Sequence, residues 1–202
     1  MKYILTLIFA LSTVQLHSAD SCCAVTPATT AAPIYSDTSL FHLQASFLNT
    51  DGEKVTLSDY QGKPFILAMF YATCPTVCPR LIQDVLKMED LLTASEQAQL
   101  PVILVSFDPE TDSPEKLTAF AKSWEMDTPR WQLWSGNAKD ARTLAAGLGI
   151  RYRKTPDGEI SHSAPITLIN AQGEIALQLA GPGVDNTALM QQIKTQLAAG
   201  AK

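Results

Sequence analysis

Apolar residues form two nearly unbroken runs, at residues 64–71 and 101–107, while elsewhere they recur at alternating or helical spacing. Continuous runs of this length are what strands covered on both faces require. Between and around them the pattern changes period. Residues 41–49 alternate well enough for a strand, Asp51-Gly52 is a hairpin turn, and residues 54–57 form the return. Residues 57–62 read as a short helical turn or loop. A helix is predicted over residues 75–93, with Leu81, Val85, Met88 and Leu92 on its inner face. Ser113, with Pro114 at the first helical position, opens a helix to about Trp124. Residues 131–134 make a short strand. Asn137 caps a helix through Ala146 that Gly149 can end, and residues 150–154 are short and extended. Residues 164–170 and 174–180 flank the turn Asn170-Ala171-Gln172-Gly173, a second hairpin. Asp185 caps a last helix, where Leu189, Ile193 and Leu197 share a face. The fold class is therefore α/β: a central mixed sheet flanked by helices, with an N-terminal β-hairpin.

The first 38 residues do not follow this pattern. Lys2, the apolar stretch 3–16 and the small residues Ser18-Ala19 predict a signal peptide over residues 1–19. The stretch is shorter than the roughly 20 apolar residues of a membrane span. His17 is an unusual neighbour for a cut after Ala19. An uncleaved anchor and a lipid on Cys22 are therefore kept as routes to membrane association. Residues 20–38, rich in Ala, Thr, Pro and Ser, predict a flexible tether, leaving residues 39–202 as the folded domain. Export implies an oxidising compartment, the periplasm, or a membrane-associated position facing it.

Charge narrows the partners. The chain carries 15 basic and 20 acidic side chains, a formal net charge of -5. There is no basic stripe, which argues against a nucleic-acid partner.

The candidate chemistry centres on Cys74 and Cys78, between the first buried strand and the helix after it. Their spacing places them at a helix start on one face, where the helix dipole favours thiolate. Such a pair can close a disulfide or hold a soft metal. The three-residue gap is wider than the common redox spacing. A dithiol after the first buried strand points to a thioredoxin-like fold, with its chemistry at the carboxyl end of that strand. His162, expected in a loop just before a strand, is a candidate third ligand; the bland alternative is a solvated loop histidine. Two sulfurs and one imidazole suit copper, both Cu(I) and Cu(II). A structural zinc site would want a fourth protein ligand, and none is evident in the sequence. Cys22 and Cys23 in the tether form a possible second thiol site, either a mobile copper-shuttling pair or a relic of lipid attachment. His42 is expected on the first strand. Trp124, Trp131 and Trp134 are expected in the core or at its rim, and Arg151, Arg153 and Lys154 on a solvated edge. Asp108 and Asp112 are read as turn and helix-entry residues.

Four runs carry a family resemblance. They are Leu57-Ser58-Asp59-Tyr60-Gln61-Gly62-Lys63-Pro64, then Phe70-Tyr71 through Cys74-Pro75-Thr76-Val77-Cys78-Pro79, then Val105 through Glu115, and His162-Ser163. In that order, over about residues 40–180, the chain resembles the Sco/SenC family of thioredoxin-like copper-binding proteins. Ser161 stands where that family commonly has Asp. The resemblance implies copper held by Cys74, Cys78 and His162. It also implies service to the copper centre of cytochrome c oxidase, as metallochaperone or as thiol reductant. The partners implied are a cuproprotein target, such as a respiratory oxidase subunit, and a thiol reductant. The main rival is a thiol-disulfide oxidoreductase, an enzyme with Cys74 attacking and Cys78 resolving. A peroxide-reducing thiol enzyme or a purely structural domain would leave His162 unexplained.

Overall fold

The two apolar runs become the two innermost strands. The computed structural model describes residues 35–126, 130–156 and 160–200. The expected signal peptide, residues 20–34 of the tether and the Cys22-Cys23 pair lie outside the described residues.

The chain enters through a 3-10 turn (Leu40–His42) and a small antiparallel hairpin of β1 (Phe47–Leu48) and β2 (Lys54–Val55), followed by a second 3-10 turn (Leu57–Tyr60). Then come β3 (Phe65–Phe70), α1 (Val77–Glu89), α2 (Ala94–Gln99), β4 (Val102–Ser106), α3 (Pro114–Ser123), β5 (Trp131–Trp134) and α4 (Ala138–Gly147). The described chain closes with β6 (Tyr152–Lys154), β7 (Ile160–His162), β8 (Ile166–Ile169), β9 (Ile175–Leu179) and α5 (Thr187–Gly200). The central sheet has the order β5-β4-β3-β8-β9. Strands β3, β4 and β5 are parallel, and β8 and β9 are antiparallel additions. Strands β6 and β7 form a separate two-stranded ribbon.

Every residue of β3 and β4 is at most 2% exposed, so both faces of both strands are covered. Leu81, Ile82, Val85 and Met88 dock α1 on the sheet. Each such side chain contributes about 1.5–3 kcal/mol on burial. Trp131 and Trp134 are core residues, as their sequence context suggested.

Several boundaries differ from the sequence expectations, each for a local reason. The strand expected over residues 41–49 shrinks to Phe47–Leu48. Ser39 caps a 3-10 turn instead, burying the consecutive Leu40 and Phe41, which an alternating strand cannot do. His42 therefore sits in that turn, its Nε2 donating to the Ser36 carbonyl at 3.0 Å, and not on a strand. Among the described residues Tyr35 is already packed, its ring meeting Phe41 edge-on at 5.2 Å. The helix expected to reach residue 93 stops at Glu89, because Thr93 and Glu96 make a capping box that starts α2. The last helix is entered one residue later than expected: Asn186 accepts its first backbone bond, while the Asp185 carboxylate accepts from the Thr187 N–H at 3.0 Å.

The β8–β9 turn locks the entry segment to the sheet. The Leu40 N–H donates to the Gly173 carbonyl at 2.8 Å, and the Ser39 hydroxyl to the Gln172 carbonyl at 2.6 Å. Gly173 has φ of +80°, and a Cβ there would lie 2.5 Å from Ser39 Oγ and 2.6 Å from Phe41 Cδ2. Positive φ and this close approach both exclude a larger residue. Gly173→Ala should cost about 2–4 kcal/mol from backbone strain plus overpacking, read as a lower denaturation midpoint with unchanged cooperativity. An unchanged midpoint would mean the turn is free to move away.

Candidate metal centre

Both strands that lead to the site end at the same level. The last paired residues of β3 and β4 are Phe70 and Ser106, and the Phe107 N–H still reaches the Phe70 carbonyl at 2.7 Å. Beyond that point the chain leaves β3 through Tyr71, Ala72 and Thr73 to Cys74, and then enters α1.

Cys78 is the second residue of α1, whereas Cys74 stands in the turn before the cap residue Thr76. The expectation of two thiols in the first helical turn thus holds for Cys78 alone. The sequence spacing still brings them together, because the Cys78 N–H donates to Cys74 Sγ at 3.3 Å. A helix leaves its first N–H groups without intrahelical partners, and here a sulfur takes one of them. Thr76 makes no side-chain cap bond, so Cys74 fills the capping role. Pro79, in the first turn, has no N–H to satisfy.

The two thiols are free and buried, Cys74 at 7% and Cys78 at 1% exposure. Their proton affinities diverge. Burial pushes the Cys74 thiol up, but hydrogen bonds from the Cys78 and Thr76 amides and from the Cys78 and Tyr71 side chains together outweigh it, so its pKa falls below the ordinary thiol value. Burial pushes the Cys78 thiol well up, and the neighbouring Cys74 sulfur and Asp112 carboxylate push it the same way. Tyr71 is pushed up to about 12, mainly by burial and by its contact with Cys74.

His162 arrives from the opposite side. It is the last residue of β7, paired with Tyr152 of β6, rather than the loop residue expected from sequence. Its Nδ1 lies 2.9 Å from the Ser163 carbonyl. A carbonyl only accepts, so Nδ1 carries the proton and the lone pair available to a metal is on Nε2. The ring is held by Phe107 at 4.7 Å and by the edge of Tyr71 at 5.8 Å between centroids. Burial lowers its pKa, against the opposing pull of the Ser163 carbonyl, which keeps the imidazole neutral at physiological pH.

The ligand atoms of Cys74, Cys78 and His162 all lie within 4.8 Å of one another. Three donors spaced evenly around a metal, with metal–sulfur bonds of about 2.3 Å, stand about 4 Å apart. A small contraction would therefore seat an ion, and two thiols with a neutral imidazole match a soft metal. Among the described residues this is the one such group. An open cavity of about 360 Å³, lined in part by Arg151, Arg153, Ser161 and His162, adjoins the histidine side.

Asp112 takes part in the turn expected of it, its N–H donating to the Asp108 carbonyl at 2.9 Å, but its side chain also turns inward. It is fully buried, and its Oδ2 accepts from the Ser106 hydroxyl at 2.6 Å and the Ala72 N–H at 3.1 Å. Burial raises its pKa, against both donors. The signal available was position: Asp112 follows the β4 run by six residues, close enough to fold back under it. Asp108 does serve the turn expected of it, its carbonyl accepting from Thr111 and Asp112, and its carboxylate meets Lys154 at 3.7 Å. Among the described residues, no helix is long and apolar enough to cross a membrane.

The SCO1/SenC family profile matches residues 36–198. The SCO1 protein homolog of Bacillus subtilis is 26% identical over 145 residues, covering 70% of this chain and 74% of its own. The solved structure of Arabidopsis thaliana ScoI with copper bound has a TM-score of 0.64 at 21% identity, covering 75% of this chain and 96% of that one. BsSco, a member of the Sco family of cytochrome c oxidase assembly proteins for which a disulfide switch is described, has a TM-score of 0.63 at 22% identity, covering 76% of this chain and 91% of that one. The two solved structures share the fold, so the thioredoxin-like architecture expected from the sequence is the one observed.

The divergence of the two thiols has a direct readout. In the reduced, metal-free protein, iodoacetamide should label Cys74 first, with a pH midpoint below the ordinary thiol value of about 8.5. Cys78 should react only on unfolding. Peptide mapping that found equal rates at the two cysteines would contradict this assignment.

Proposed function

The chain belongs to the SCO1/SenC family, and from that membership we propose that it is an exported copper metallochaperone that helps mature a respiratory copper centre, such as that of cytochrome c oxidase. The observation that carries the reading is the convergence of Cys74, Cys78 and His162 within 4.8 Å at the carboxyl end of β3. Copper is the cargo. Cys74 and Cys78 bind Cu(I) as thiolates, and His162 completes the set for Cu(II), which favours nitrogen donors more strongly. Thiol protons must leave for the metal to bind, and the amide-stabilised Cys74 sulfur gives up its proton more readily than Cys78. Copper passes to a cuproprotein partner, a respiratory oxidase subunit, at the edge where half-buried His162 meets the open cavity. The proposed setting is the periplasm, with the folded domain tethered behind a signal peptide or a lipid on Cys22. Cys22 and Cys23 are a candidate second thiol site in that tether.

A second reading rests on the divergence of the two thiols. An attacking thiol wants a low pKa, and a buried resolving thiol can wait. In that reaction the Cys74 thiolate attacks a disulfide in the partner and forms a mixed disulfide, expelling one partner thiolate. The Cys78 sulfur, losing its proton, then attacks Cys74 and expels the second. The partner gains two electrons, and the Cys74–Cys78 disulfide left behind needs an external dithiol to reduce it. Both readings use the same sulfurs, so copper loading and disulfide formation exclude one another.

Anaerobic copper titration of the purified domain separates the two. One copper should bind per domain, and Cys74→Ser should abolish tight Cu(I) binding. His162→Ala should weaken Cu(II) by about tenfold or more while changing Cu(I) far less. Copper binding no stronger than that of a simple dithiol peptide would discard the chaperone reading in favour of the reductase.

A further inference from the structure

The carboxylate of Asp112 hydrogen-bonds to Ala72 and Ser106, close to the site, and its place in the chain is unusual. Strand β4 ends at Ser106, and a turn closed by Thr111 and Asp112 N–H groups on the Asp108 carbonyl swings the chain back beneath the strand it has just left. Asp112 then has no exposure to solvent. One oxygen, Oδ2, holds two donors that belong to two different strands' extensions. The Ala72 N–H lies past the end of β3, two residues before Cys74. The Ser106 hydroxyl lies at the end of β4, one residue before Phe107, and itself accepts from the Asp108 N–H at 2.9 Å. The other oxygen, Oδ1, is buried with no hydrogen-bond partner among the described residues. Burying a carboxyl with one oxygen unsatisfied is costly, on the order of a few kcal/mol.

The residues next to the two donors explain what that cost secures. Tyr71, beside Ala72, presents its edge to the His162 ring, and Phe107, beside Ser106, packs on the same ring. The strand ladder ends at Phe70 and Ser106, with one further backbone bond from Phe107. Past it, the Asp112 bridge ties the two extensions together. We propose that Asp112 is the positioning residue of the metal centre: by joining Ala72 to Ser106 it fixes the Tyr71–Phe107 seat of His162 relative to the Cys74 turn. It acts through those neighbours. The inference rests on the copper reading for its metal-binding consequence, but the seat itself exists without metal.

Two replacements separate positioning from bulk. Asp112→Asn keeps an oxygen able to accept from both Ala72 and Ser106, whereas Asp112→Ala removes the bridge. The metal-free arm follows the His162 ring by NMR. In the native protein the ring protons should be displaced by the ring currents of Phe107 and Tyr71. Asp112→Ala should move them toward exposed-histidine values while the amide spectrum of β3, β4 and α1 persists, and Asp112→Asn should retain most of the displacement. The metal arm titrates Cu(II) and Cu(I) as simple salts under anaerobic control. Asp112→Ala should lose about tenfold or more in Cu(II) affinity, with a charge-transfer spectrum shifted toward that of His162→Ala, and change Cu(I) affinity by less than about threefold.

A folded Asp112→Ala protein with native His162 shifts overturns the proposal, as does one with a native Cu(II) spectrum. If native protein binds no copper, the chaperone reading fails, and the NMR arm still decides the positioning role. If Asp112→Ala does not fold, Ser106→Ala removes one of the two donors. It should displace the His162 signals part of the way, and unchanged signals there overturn the proposal equally.

Discussion

The parallel register of β3 and β4 is the constraint on which the rest of the molecule depends. Both strands are covered on both faces, so neither can slip without pushing the wrong side chains out of the core. That register fixes where each strand ends, and each end supplies a wall of the metal centre. From β3 come Tyr71 and the turn to Cys74; from β4 comes Phe107. The apolar mass that makes the strands immovable lies on the amino side of the site, and only short extensions carry the chemistry. A few hydrogen bonds then suffice to complete the geometry, because the supports are already rigid.

The two cysteines illustrate how one local feature can divide a pair chemically. Both sulfurs are buried, and burial raises the proton affinity of each. Only Cys74, placed before the helix, stands where the unpaired amides of the first turn can donate to it. Cys78, inside that turn, is the donor of one of those amides. The same four-residue step therefore gives one sulfur amide donors that oppose its burial, while burial, the Cys74 sulfur and the Asp112 carboxylate hold the other thiol up. A helix that began at Cys74 would lose this difference, since both sulfurs would then lie on its surface.

Much of this was legible from sequence. Residues 64–71 and 101–107 announced buried strands by lacking any polar alternation, and Ser113-Pro114 and Asn137 announced helix starts by their capping chemistry. Cys74, Cys78 and His162 stood out as residue types whose grouping has few structural uses. Boundaries were less legible wherever a short-range hydrogen bond competes with periodicity, as at Ser39 and at Thr93. The role of Asp112 was hidden for a different reason. Asp before a Ser-Pro helix start has a common local explanation, and nothing in the linear pattern tells whether its carboxylate faces water or turns inward. Only the fold-back of the chain after β4 decides that. His162 was legible as a ligand candidate but not as a strand residue, since β6 and β7 are only three residues each.

That last difference bears on how the centre can work. Cys78 stands on α1 and Cys74 in the turn between β3 and α1, but His162 stands on a two-stranded ribbon separate from the central sheet. Isolated two-stranded ribbons are marginal on their own, so His162 owes its place to the rings of Tyr71 and Phe107 and to the Ser163 carbonyl. The site thus joins two firmly held ligands to one held mainly by packing. On the proposed chaperone reading, a centre that binds copper and then gives it up would benefit from that inequality. In that reading the dithiolate would retain Cu(I) while the imidazole, at the open side of the site, would yield its position to a donor from a partner. A site built for permanent metal would more simply take its third ligand from the central sheet.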